Sequence, residues 1–387
     1  MKQTITLLLI LSTALKSAGQ ASLLTNKQYL IHSQRAAKYY NQQKYLQSGL
    51  SFDSLFKANQ GKGLNRDKYN AASSWSLANN PDKALPYLIQ YSKDIKTLNP
   101  DFLVEDQDFK NLHQDPRWKT LMNQCKTSIQ NARNKYKVQD TLLSVGTHQL
   151  FFSLIKGSST VILFETGGMD NSKVWGEILI PIFDATGATL ITYDRAGFGR
   201  STRDSLKSDL TNEVKSLETG LSKLDYGNTN TILVCHSIGG FYATIFAARN
   251  SKKVKSAIFL DASLSCFYTD ERVKKLIKLN SNNKDLETIK KENISLYYIF
   301  KDLEKNSATM RTVSFPTKIP ITDIYAENPP WDEADNKEWK NCHQNFIMPR
   351  SNSNQILAKG SNHYIFTDNP QLVISEIAKS YQTAIKN

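Results

Sequence analysis

The distribution of apolar and polar positions divides the chain into two stretches of different period. Over residues 21–130 apolar and aromatic side chains recur every three or four positions and glycine is sparse, the pattern of amphipathic helices. From Thr141 onward short continuous apolar runs take over: "STVILFE", "ATLITYD", "TILVCH", "KSAIFLD" and "ITDIYAE". "VGTHQLFFSLI" precedes them as a hairpin, and "NQILAKG" follows as a last strand. Helical stretches such as "SDLTNEVKSLETGLSKL" separate these runs. Strands that are apolar throughout are buried on both faces, so the alternation predicts a mostly parallel sheet with helices on either side. The charged segment "NARNKYKVQD" predicts a linker over 131–140.

Inside the helical stretch two segments align at an offset of 36 residues, with Ala36 and Tyr39 matching Ala72 and Trp75, Ser48 matching Ala84 and Phe52 matching Leu88. Small residues at helix contacts, aromatics beside them and a polar turn between are what a helical hairpin repeat requires. The segments "YNAA", "NNPDKALPYL" and "DFLVEDQDFKNLHQDPRWKTL" resemble tetratricopeptide repeats in degenerate form. Residues 20–130 are therefore expected to form a tetratricopeptide-like helical domain. Two units are few for a free-standing solenoid, so this domain is expected to lean on its neighbour or to offer a surface to a protein partner.

The start of the chain, "MKQTITLLLILSTALKSAGQA", has a basic residue, an apolar core and small residues after it. The apolar run is about 10 residues, half of the ~20 a membrane span needs, which predicts an export signal over 1–19. An uncleaved membrane anchor is the rival reading, and no later segment is apolar enough to span a bilayer. The expected location is periplasmic, secreted or envelope-associated.

Composition changes this picture little. The 387 residues are 40% hydrophobic, enough for two packed domains and against wholesale disorder. The net charge of +13 comes from scattered lysines, which describes a solvated surface better than a nucleic-acid site; attraction to anionic membrane surfaces stays open. Cys125, Cys235, Cys266 and Cys342 form no C-x-x-C, and their even number does not imply a disulfide framework in a chain this long. Six histidines include no H-x-x-x-H and no His/Cys cluster, so no structural metal is expected.

Candidate chemistry gathers at the strand ends, where open parallel sheets carry their sites. "TILVCHSIGGF" places Ser237 between an apolar strand and a small-residue helix, the layout of a G-x-S-x-G nucleophile elbow with Cys235 in place of the first glycine. Gly239 and Gly240 supply the small neighbours on the helix side, and a cysteine suits a buried strand. Cys235 itself, as nucleophile, would point into the sheet. Five pieces in order, "LFETGGMDNSKVW", "YDRAGFGRS", "VCHSIGG", "FLDAS" and "AKGSNHYIFTDNP", make residues 141–387 resemble the α/β-hydrolase superfamily. The resemblance implies an α/β-hydrolase fold, a Ser-acid-His order and an acyl-enzyme mechanism without a cofactor. It implies Ser237 as nucleophile and His363 as base. Asp261, at the end of "AIFLDAS", is the favoured acid, with Glu327 and Asp332 as alternatives because the loop "NPPWDEAD" follows the strand where the family's acid is usual. The oxyanion hole falls to the amides of Ile238 and Gly168, with Met169 next in line, and Thr166 stands where the family has histidine. Residues 262–318 are expected to form a cap, with Phe267, Tyr268, Tyr297, Tyr298 and Phe300 as candidates to line its pocket.

These readings predict an exported serine hydrolase of small acyl substrates, esters first. A peptidase, an amidase or a cofactor-free haloperoxidase-like enzyme uses the same groups. An envelope-associated binding protein that keeps the hydrolase domain as a scaffold is the alternative from another class. A complete triad favours the enzyme, and a misplaced acid favours the binder.

Overall fold

In a computed structural model, residues 27–94, 103–204, 208–280, 285–292 and 294–386 are described. The expected export signal over 1–19 lies outside them. Among the described residues no helix is long and apolar enough to cross a membrane. The chain divides into two compact units at Arg133/Asn134.

The first unit is all helical: α1 (Lys27–Asn41), α2 (Tyr45–Ala58), α3 (Asn65–Leu77), α4 (Pro81–Asp94), a 3₁₀ turn (Gln107–Leu112) and α5 (Pro116–Lys135). The positions aligned by the 36-residue offset face inward, with Ala36, Ser48, Phe52, Ala72, Trp75, Ala84 and Leu88 all buried and Tyr39 half-buried. Small side chains let α2 and α3 close up. Ser48 Oγ lies 2.9 Å from Ser74 Oγ, and a Cβ on Gly49 would stand 2.6 Å from the Trp75 ring. Phenol-to-carboxylate bonds tie the helices across the apolar clusters: Tyr29 Oη donates to Asp67 (2.5 Å), Tyr87 to Asp53 (2.7 Å) and Tyr40 to Asp108 (2.5 Å). The expected linker over 131–140 is mostly structured. Its charged residues suit the exposed end of α5, which runs to Lys135, and β1 opens at Gln139.

The second unit is built on one eight-stranded sheet: β1 (Gln139–Ser144), β2 (Gln149–Ile155), β3 (Val161–Glu165), β4 (Thr189–Tyr193), β5 (Thr231–His236), β6 (Val254–Leu260), β7 (Ile321–Asn328) and β8 (Asn354–Asn362). The order is β1-β2-β4-β3-β5-β6-β7-β8. The β1–β2 and β2–β4 pairs are antiparallel and the rest parallel. Every apolar run read as a strand is one. The central strands are buried on both faces, as continuous apolar runs require. Leu163, Leu233, Cys235 and Phe259 face one core together with residues of α7 (Leu210–Lys223) and α8 (Gly239–Arg249). The opposite face is closed by α6 (Gly176–Thr186) and α14 (Pro370–Ala384), where Ser380 Oγ reaches Ser256 Oγ on β6 at 2.6 Å.

Helices α9 (Asp270–Asn280), α10 (Leu286–Glu292) and α11 (Ile294–Thr312) fall in the segment expected to be a cap. Ser295 Oγ donates to Gly197 O (3.1 Å) and Ser208 Oγ to Asp302 (2.6 Å), which docks α11 on the loop after β4. Phe267 and Tyr268 belong to the main core, packed on each other and on Trp339 and Phe241, rather than to a pocket wall. Tyr297 and Tyr298 are half-buried, and Phe300 is buried.

Cys266 and Cys342 form a disulfide, with Cα atoms 5.8 Å apart, between the segment after β6 and α12 (Glu333–Ile347). Sequence spacing gave no signal for it, since the partners are 76 residues apart. Replacing both cysteines by serine is expected to lower the unfolding free energy of this unit by about 2–4 kcal/mol, read from urea denaturation followed by tryptophan fluorescence.

Candidate active site

The register of the sheet sets the site. β5 and β6 run parallel, with His236 paired to Leu260, so Ser237 and Asp261 are the first residues beyond two adjacent strand ends. Both leave the strand with positive φ, 53° at Ser237 and 43° at Asp261, a conformation that costs of order 1–3 kcal/mol in a non-glycine residue. Surrounding hydrogen bonds hold these turns: Ser263 N donates to Ser237 O (2.7 Å) and Asp261 N to Ile324 O (2.8 Å). The turn at Ser237 brings α8 against the sheet so closely that a Cβ on Gly239 would stand 2.6 Å from Thr166 O, and one on Gly240 2.7 Å from Ser263 O. Glycine is required at both. On the strand side, Cys235 is fully buried with its Sγ 3.7 Å from Ile258 O, and burial pushes its thiol well up from the ordinary cysteine range. It is a core residue, remote in chemistry from a thiolate.

His363 follows β8, at the start of the turn into α13 (Ile365–Asp368). Its Nδ1 lies 2.7 Å from Asp261 Oδ2. A carboxylate only accepts, so Nδ1 carries the hydrogen and Nε2 keeps its lone pair for a donor. The other oxygen, Asp261 Oδ1, accepts from Trp339 Nε1 (2.8 Å) and from Ala326 N (3.0 Å). Burial alone would raise the Asp261 pKa, but the His363 hydrogen bond and charge, the charge of His343 and the Ala326 amide outweigh it, so the carboxyl titrates below the usual aspartate range. The alternative acids sit elsewhere. Glu327 accepts from Gly360 N (2.7 Å), and Asp332 caps the N-terminus of α12 and pairs with Lys275 (3.1 Å).

His236 links His363 to the turn at Ser237. Its Nε2 donates to the His363 carbonyl (3.1 Å), and its ring lies 4.5 Å from the His363 ring. Burial holds its pKa below the ordinary histidine range, and Asp170 Oδ2 stands 3.7 Å from Nδ1, beyond hydrogen-bond range.

The loop after β3 lies beside the elbow. A Cβ built on Gly168 would be 3.6 Å from Ile238 Cγ2, and Met169 is half-exposed. Ile238 opens α8, where backbone N–H groups lack helical partners. The loop is braced from below by Arg195, itself buried, which donates to Thr166 O (2.7 Å), Gly167 O and Gly168 O (3.3 Å) and pairs with Glu165 (3.2 Å). Tyr193 Oη donates to the other Glu165 oxygen (2.5 Å). Asp194 accepts from Ser172 N and Arg200 N, both at 2.8 Å, and so fixes the neighbouring turn. Buried and only partly compensated by Arg195 and Tyr193, the Glu165 carboxyl is pushed up to about 7.

Sequence reasoning missed Trp339 and the buried His343–Asp323 pair (Nδ1 to Oδ1, 2.9 Å), neither of which lies in a motif. The bracing role of Asp194 and Arg195 was readable from "YDRAGFGRS".

Residues 160–297 match the family model of the alpha/beta hydrolase fold. The uncharacterized protein YqjL of Bacillus subtilis is 29% identical over 231 residues, 56% of this chain and 82% of its own. A proline iminopeptidase of Saccharolobus solfataricus is 30% identical over 128 residues, 32% of this chain and 40% of its own. Among solved structures, a bromoperoxidase from Bacillus anthracis is 17% identical with a TM-score of 0.47, over 64% of this chain and 100% of its own.

Two outcomes are expected from this geometry. In thiol titration of the native protein with an aromatic disulfide reagent, Cys235 stays unreactive until the chain unfolds. For Glu165 the folded pKa is near 7 against an ordinary 4.5, so over that window the unfolded chain binds fewer protons and stability falls as pH rises. Glu165→Gln, which does not ionise, removes that part of the slope in urea denaturation compared at pH about 5 and about 7.5.

Proposed function

The C-terminal unit is an α/β hydrolase, and from that premise we propose an exported serine hydrolase that cleaves carboxylic esters through Ser237, His363 and Asp261. The observation that carries this reading is the Asp261–His363 contact at 2.7 Å, one strand away from a serine at φ 53°. It is the arrangement in which the acid orients the imidazole and stabilises its protonated form. His363 Nε2 takes the hydroxyl proton as Ser237 Oγ attacks the carbonyl carbon. The Ile238 and Gly168 amides hold the resulting oxyanion. The proton passes to the leaving alcohol, and the acyl-enzyme forms. Water, deprotonated by the same imidazole, then releases the acid and restores Ser237. No step calls for a cofactor.

Export is supported by the Cys266–Cys342 disulfide, a bond that persists in oxidising compartments. The paired acid also supports the enzyme over the scaffold reading. The similarity to a proline iminopeptidase puts amide substrates in the same screen as esters. A protein partner for the helical unit is proposed on its repeat-like build alone.

The test is labelling with a fluorophosphonate probe. Wild type is expected to label, Ser237→Ala and His363→Ala to lose labelling, and Asp261→Asn to fall on the order of 10⁴-fold in rate. A folded wild type that does not label overturns the proposal.

A further inference from the structure

Asp261 has two oxygens and three donors. His363 uses Oδ2, while Trp339 Nε1 and the Ala326 amide share Oδ1. The backbone amide belongs to β7 and is fixed by the sheet. Trp339 is the only side chain besides His363 that bonds this carboxylate among the described residues, and it comes from a different element, α12.

The indole is held on every side. It is 1% exposed, packs edge-on against Phe267 at 4.8 Å and the His343 ring at 5.1 Å, and lies tilted against Trp331 at 5.5 Å. His343 is fixed in turn by Asp323. The helix is tied to the segment that leaves Asp261 by the Cys266–Cys342 bond and by Arg272–Asp335 (3.1 Å) and Lys275–Asp335 (2.8 Å). An indole N–H buried this deeply needs an acceptor, and the acceptor here is the carboxylate that orients the base.

We propose that Trp339 is a positioning residue of the site: its indole N–H fixes the rotation of the Asp261 carboxylate so that Oδ2 faces His363 Nδ1. The proposal rests on the serine-hydrolase reading above. Without the indole, one amide holds Oδ1 and the carboxylate is free to turn about its Cβ–Cγ bond. The ionisable groups that face Asp261 are His363, His343, His236 and Tyr268.

The experiment is a double-mutant cycle on the full chain, read as the rate of fluorophosphonate inactivation of wild type, Trp339→Phe, Asp261→Asn and the double variant. The expected loss for Trp339→Phe is about 10- to 100-fold, the worth of one hydrogen bond to a charged group. In the Asp261→Asn background the same change is expected to cost nothing further, because the group it acts through is gone. Equal losses in both backgrounds, or a wild-type rate in Trp339→Phe, overturn the role of Trp339 and leave the hydrolase reading standing. A wild type that does not react overturns the hydrolase reading itself. If Trp339→Phe does not fold, the indole N–H signals of isotope-labelled protein decide. One of the five is expected to move between wild type and Asp261→Asn, and five unmoved signals overturn the proposal.

Discussion

The register between β5 and β6 is the constraint on which the rest of the site depends. With His236 opposite Leu260, the chain leaves both strands at the same height, and Ser237 and Asp261 emerge as neighbours. A slip of one residue would turn every side chain of β5 to the other face of the sheet and separate the two. The register is secured by burial, because Leu233, Cys235 and Phe259 must face one core while Ile232, Val234 and Ile258, all fully buried, face the other. Apolar packing across the sheet thus fixes the position of two polar groups that take no part in it.

Strain and buried charge are concentrated around those two exits. Each positive-φ turn is tolerated because backbone hydrogen bonds to the next strand or loop over-determine it. Glu165 and Arg195 are buried beneath the loop beside Ser237, an arrangement that costs desolvation and adds little net stability. What it gives is shape: one guanidinium reaching three successive carbonyls leaves that loop few conformations.

The fold was legible because its strands are apolar without interruption, a pattern that only a doubly covered sheet produces. The helices of the first unit were legible because Ala36, Ala72 and Ala84 recur at contacts where a larger side chain has no room. Ser237 and Gly239 could be read because a strand followed at once by small residues is a local signal. Trp339, His343 and the Cys266–Cys342 pair could not. Each lies in a stretch with no motif, and each matters through a partner tens of residues away. The same holds for the carboxylate that pairs with His363. "NPPWDEAD" pointed to the strand β7 loop, but there Asp332 spends its oxygens on the end of α12, whereas Asp261 is set beside His363 by the pairing of β6 with β7 and of β7 with β8.

The disulfide has a consequence for how the molecule is covalently joined. Between Cys266 and Cys342 the backbone and the S–S bond close a ring that contains β7, the helices α9 to α11 and most of α12. A single backbone cut anywhere within that ring opens it without dividing the chain. Ser237 and Asp261 on one side of the ring and His363 on the other would still belong to one molecule, which only a reductant could then take apart.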